Sequence, residues 1–101
     1  MKEDDALIRE MGCTEADFLR WLPGATGNAP VSTTRDAAGM LHRVTLADGL
    51  VEILVRPEVP RRIASIVLPV LRVTIRFVGL DGAQRVAFLD MFDRYTHRGG
   101  G

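Results

Sequence analysis

The chain has 101 residues, enough for one domain with a modest core and too few for two. Hydrophobic residues make up 47% of it, which excludes a disordered chain, and thirteen basic side chains balance thirteen acidic ones, which excludes whole-molecule electrostatic steering toward nucleic acid or membrane. A single cysteine, Cys13, excludes an internal disulfide and a cysteine-built zinc site.

Charge is uneven along the chain. Residues 1–22 carry three basic side chains (Lys2, Arg9, Arg20) against six acidic ones, so the remainder is correspondingly basic. Twelve of the thirteen basic residues are arginine, which suits bidentate contact with anions, although a GC-rich genome produces the same bias. The start, Met1-Lys2-Glu3-Asp4-Asp5, is acidic with no apolar segment behind it, so no signal peptide is expected. No run approaches the ~20 apolar residues of a membrane span. A lone cysteine suits a reducing compartment, and the expected location is cytoplasmic.

In chain order, Leu7, Ile8 and Met11 have helical spacing, which predicts a helix over about 3–11 stopped by Gly12. Thr14-Glu15-Ala16-Asp17 has the form of a capping box and predicts a second helix over about 15–22. Phe18, Leu19 and Leu22 form its apolar face, Trp21 sits beside that face, and Pro23-Gly24 end it. Residues 23–39 are rich in Pro, Gly, Ala, Ser, Thr and Asn, and read as a flexible surface loop or as a loop hiding a short strand at Val31–Thr34. The loop is the expectation.

Alternation predicts a hairpin with strands over about 42–47 and 50–56, joined at Asp48-Gly49 by a type I′ turn. Pro57 and Pro60 are expected to break the sheet. Residues 62–67 read as a third strand, despite a partly helical period. Leu71–Val78 is the clearest strand, with Val73, Ile75 and Phe77 on one side and Arg72, Thr74 and Arg76 on the other. Asp81 and Gln84 repeat the capping-box spacing ahead of a helix over about 82–96, whose Phe88, Leu89, Met91, Phe92 and Tyr95 form a wide apolar stripe. The expected architecture is α+β: a single domain, a two-layer sandwich with an antiparallel sheet of three or four strands and both helical segments on one face.

The residues of catalysis are sparse. No phosphate loop, nucleophile elbow, His-Glu-x-x-His or calcium loop occurs. His42 and His97 are too few for a metal site, and no metal or cofactor is expected. Asp90 and Asp93 read as a solvated helix face, and Cys13 has no base beside it to make a nucleophile.

Two features point to function. Alternation puts Arg43, Arg56, Arg72 and Arg76 on the sheet face away from the helices, with Glu52 as their single acidic neighbour. Such a face suits an anionic ligand or a protein partner. Nucleic acid is less favoured, because the face has no aromatic side chains on which bases stack. The expected function is thus a small non-enzymatic binding or accessory domain.

The second feature is the ending Arg98-Gly99-Gly100-Gly101. Its Gly-Gly carboxylate resembles that of ubiquitin and the ubiquitin-like sulfur carriers. The resemblance covers the tail alone and implies, as the alternative function, a carrier activated at Gly101. In that family the tail follows a strand; here it follows an expected helix. The longer pattern Gly79-Leu80, Ala87-Phe88, Phe92-Asp93 and Arg98-Gly99-Gly100-Gly101 resembles the ending of small uncharacterised proteobacterial proteins with an FD…RGGG-like tail. That resemblance implies no activity, cofactor or partner.

Overall fold

The computed structural model describes residues 6–99, with side chains up to residue 96. The fold is α+β, with two helices and a five-stranded antiparallel sheet. In chain order the elements are β1 (Leu7–Met11), α1 (Glu15–Ala25), β2 (Val31–Asp36), β3 (Gly39–Thr45), β4 (Leu50–Ile63), β5 (Ile66–Val78) and α2 (Gly82–Gly99). The strand order is β1-β5-β4-β3-β2. Strands β2 to β5 form a meander, and α1 carries the chain from β1 at one edge to β2 at the other.

Of the segment expected as the first helix, about 3–11, Leu7–Met11 is instead β1, and residues 3–5 lie outside the described residues. A helix over about 3–11 would be shorter than the ~12–15 residues that offset the cost of nucleation. Strand β5 offers an unpaired edge, and β1 fills it from Leu7 opposite Ile75 to Met11 opposite Leu71. The expected 23–39 loop is likewise corrected. Helix α1 runs on through Pro23 to Ala25, and β2 and the start of β3 occupy most of residues 31–39. Strand β2 is an exposed edge strand, so its serine and threonine side chains carry no burial signal.

Both capping boxes are present. The Asp17 N–H donates to Thr14 Oγ1 while the Thr14 N–H donates to the Asp17 carboxylate, and Asp81 and Gln84 exchange the same pair of bonds at 2.8 Å. The β3–β4 connection differs from expectation. Neither Asp48 nor Gly49 has a positive φ, so the turn is not type I′. The Leu46 N–H donates to the Gly49 carbonyl, leaving Ala47 and Asp48 at the tip. Glycine is needed at 49 for closeness: a Cβ there would lie 2.3 Å from the Val78 carbonyl oxygen.

The largest correction concerns residues 57–70. Pro57 and Pro60 do not end the sheet, and the expected strand over 62–67 straddles a turn. Strands β4 and β5 are 14 and 13 residues long and pair continuously from Leu50–Val78 to Ile63–Ile66. Pairing with β3 ends at Val55, so beyond that row β4 has only β5 beside it. A proline N without a hydrogen is tolerated where one edge meets solvent, and a bulge between Glu58 and Arg61 takes up the extra residue. The result is a two-stranded arm over residues 57–70, closed by Ala64-Ser65 with Ala64 at φ 55°.

The core lies between one sheet face and both helices. Val44, Val51, Ile53, Val55, Leu71, Val73 and Ile75 meet Phe18 and Leu22 of α1 and Phe88 and Phe92 of α2. Phe92 stacks on Phe88 with centroids 5.9 Å apart and meets Phe18 at a tilt 6.2 Å away, and Phe77 meets Phe88 edge-on. Each large buried side chain contributes about 1.5–3 kcal/mol. The stripe of α2 is divided, because Met91 and Tyr95 are exposed while Phe88 and Phe92 are buried.

Candidate functional site

The sheet face opposite the helices is assembled from cross-strand rows. In one row Ser32, Arg43, Glu52 and Arg76 stand side by side across four strands. In the next stand Thr34, Leu41, Leu54, Thr74 and Ile8. In the third Arg56, Arg72 and Glu10 are neighbours. Toward the arm, Glu58 pairs with Val70, Arg61 with Leu68 and Ile63 with Ile66. Period-2 alternation explains the arrangement along β5 and along β4 as far as Glu58, and the bulge between Glu58 and Arg61 shifts the parity of β4 so that Arg61 and Ile63 join the same face.

All four expected arginines, Arg43, Arg56, Arg72 and Arg76, lie on this face, but they do not form a bare basic patch. Glu52, only 19% exposed, accepts from Arg43 Nε and from Arg76 Nη2, both at 3.1 Å. Glu58 lies 3.9 Å from Arg72, and Glu10 pairs with Arg61 at 3.3 Å. Arg56 makes no ion pair among the described residues. Three carboxylates thus interleave with the arginines. Counting single-strand alternation understated them, because Glu10 and Glu58 reach the face from segments read as helix and as break.

The arm is the feature that sequence reasoning missed. Val59 is 86% exposed, and Ile63, Ile66, Val67 and Leu68 are all between 41% and 56% exposed. These five large apolar side chains fall within ten residues and stay exposed among the described residues. A monomer seldom leaves so many together in water unless something binds there. The available signal was the run Ile66-Val67-Leu68-Pro69-Val70, apolar throughout and punctuated by the proline of an unpaired edge.

The remaining groups are committed to the fold. Asp90 and Asp93 are held separately, by Arg94 and by Arg9, so they do not act as a carboxylate pair. Cys13 is buried, and desolvation, reinforced by the Asp17 charge, pushes its thiol up to about 11. Such a thiol is protonated at neutral pH and is a poor nucleophile. His42 is fully buried and rests on Phe18; burial lowers its pKa, with the Glu15 charge opposing. Among the described residues no three His, Cys, Asp or Glu side chains come together to hold a metal ion. A groove of about 750 Å³ runs between the helices, lined by Trp21, Gly24, Met91 and Tyr95. Helix α2 reaches Gly99, so the expected tail at Arg98 and Gly99 begins inside the helix, while Gly100 and Gly101 lie outside the described residues. No described helix is long and apolar enough to cross a membrane.

The geometry defines an α+β domain with one open sheet face and a projecting β-arm. No family model, no curated protein and no solved structure matches the chain.

Proposed function

We propose that the protein is a non-enzymatic binding module whose contact surface is the β4–β5 arm together with the open sheet face. The observation that carries this reading is the cluster of exposed Val59, Ile63, Ile66, Val67 and Leu68 on the arm. Apolar side chains in water favour a protein partner, whose own apolar surface is buried in exchange. The interleaved Glu10, Glu52 and Glu58 count against the anionic ligand that Arg43, Arg56, Arg72 and Arg76 suggest by themselves. The two-layer arrangement belongs to this reading, because helices on one side only leave the other side for the partner. So does a cytoplasmic setting, which the lone buried Cys13 suits.

The test compares protein captured by the wild type with that captured by Ile66→Ser/Leu68→Ser and by Arg72→Glu/Arg76→Glu. Both sites are exposed or half-exposed, so thermal midpoints are expected to stay close to wild type. Loss of capture by the arm variant supports the reading. Equal capture by all three proteins, each shown to be folded, overturns it.

A further inference from the structure

Resting on the proposed binding surface, we infer that its partner is a second copy of this chain, packed open face to open face with the two arms reversed about a two-fold axis. Three observations lead there.

The first is charge. A single-sign patch calls for a partner of opposite sign, whereas this face carries both signs, with Glu10, Glu52 and Glu58 set among its arginines. On β4, Arg56 and Glu58 are two residues apart on the same face. A two-fold interface is self-complementary: where residue i meets j, residue j meets i. An axis passing between the rows of Arg56 and Glu58 brings Arg56 against Glu58 of the partner subunit, and Glu58 against the partner's Arg56. This supplies the carboxylate that Arg56 lacks among the described residues of its own chain.

The second is the apolar match. The same axis lays the row of Arg61 and Leu68 over the row of Leu54 and Thr74. The aliphatic stem of Arg61 then covers half-buried Leu54, exposed Leu68 faces Thr74, and the exposed tip residue Ile66 comes down on the aliphatic stem of Arg76. Both sides of the arm edge carry proline, at 57, 60 and 69, which removes donors from the ladder and disfavours edge-on strand addition. Packing by faces remains.

The third is area. The fourteen residues of β4 span roughly 45 Å at ~3.3 Å per residue, in line with the molecule's longest extent of 46 Å. A contact strip two strands and their side chains wide along that length covers roughly 700 Å² per copy, close to the ~800 Å² per partner of a stable interface.

The test measures mass by sedimentation or light scattering on the full chain between about 1 and 100 µM, a range that brackets micromolar affinity. The wild type is expected at twice its 11.1 kDa chain mass at the upper end. Ile66→Ser/Leu68→Ser should raise the dissociation constant at least tenfold. Arg56→Glu alone and Glu58→Arg alone should each be monomeric, because each homodimer now sets like charges together. Mixed one to one, the two single variants should recover a dimer, since both cross-contacts again join opposite charges. A wild type that stays monomeric throughout overturns the inference, as does a dimer that persists in the arm and charge variants, or a mixture that fails to pair. The binding-module reading is separate from these results: a monomeric wild type that still captures another protein through its arm keeps that reading and loses only the second copy.

Discussion

Thr33 Oγ1 and His42 Nδ1 lie 2.7 Å apart across the β2–β3 pair, while the Nε2 of the same ring is buried without a partner. Burial holds the folded-state pKa of His42 below its ordinary 6.5, so the unfolded chain takes up the proton more readily. The stability this supplies is complete above 6.5 and is lost as pH falls from there through the folded-state value. The thermal midpoint should therefore drop between pH 7.5 and 5.5, and His42→Gln should flatten the drop. Asp17, held below its ordinary 3.8 chiefly by the Thr14 backbone hydrogen bond, acts at lower pH and does not interfere. An unchanged slope in His42→Gln would count against His42 as its source.

Glu52 is the carboxylate shared by Arg43 and Arg76, so Glu52→Gln should convert a compensated row into a basic one. The variant is expected to elute from a heparin column at higher salt than wild type. Partly exposed ion pairs are worth about 0–1 kcal/mol each, so with two of them its unfolding free energy should fall by no more than about 2 kcal/mol. Identical elution would show that Glu52 does not set the charge of this face.

Gly49 and Gly82 offer a controlled comparison. An added Cβ at Gly49 meets the Val78 carbonyl oxygen at 2.3 Å, a backbone atom that cannot swing aside, whereas at Gly82 it meets nothing within 4 Å. Gly49→Ala should cost about 1–3 kcal/mol in urea unfolding, and Gly82→Ala should stay within about 0.5 kcal/mol of wild type or gain slightly. Equal effects at the two positions would rule out close approach as the reason for glycine at 49.

Cys13 should be slow to react. Raising its pKa from 9.0 to about 11 lowers the thiolate fraction at pH 8 about a hundredfold, and burial slows access further. Labelling by a disulfide reagent is expected to be at least a hundredfold slower in native protein than in urea. Comparable rates would mean that the segment between β1 and α1 opens readily.

Much of the fold was legible because it is written in local periods. The alternation of Val73, Ile75 and Phe77 identified β5, and the spacing of Phe88 and Phe92 identified α2. Thr14 with Asp17, and Asp81 with Gln84, marked both helix starts through side chains that satisfy backbone donors within three residues. The alternation that revealed β3, β4 and β5 also put Arg43, Arg56, Arg72 and Arg76 on one face. Of the carboxylates that neutralise them, only Glu52 was legible. Glu10 reaches that face only because β1 pairs with β5, and Glu58 only because β4 continues past Pro57.

The sequence by itself determined one α+β domain, the inward face of its central strands, the aromatic core of α2 and both helix caps. These depend on which residues stand two, three or four places apart, and such spacings survive whatever lies across the sheet. The tertiary structure alone decided the rest: that Leu7–Met11 is a strand, that Val31–Asp36 is an edge, and that β4 and β5 outrun their neighbours to form an arm. Each of these depends on an edge left open or filled by a distant segment. A free hydrogen-bonding edge belongs to the sheet and not to the residues that come to fill it.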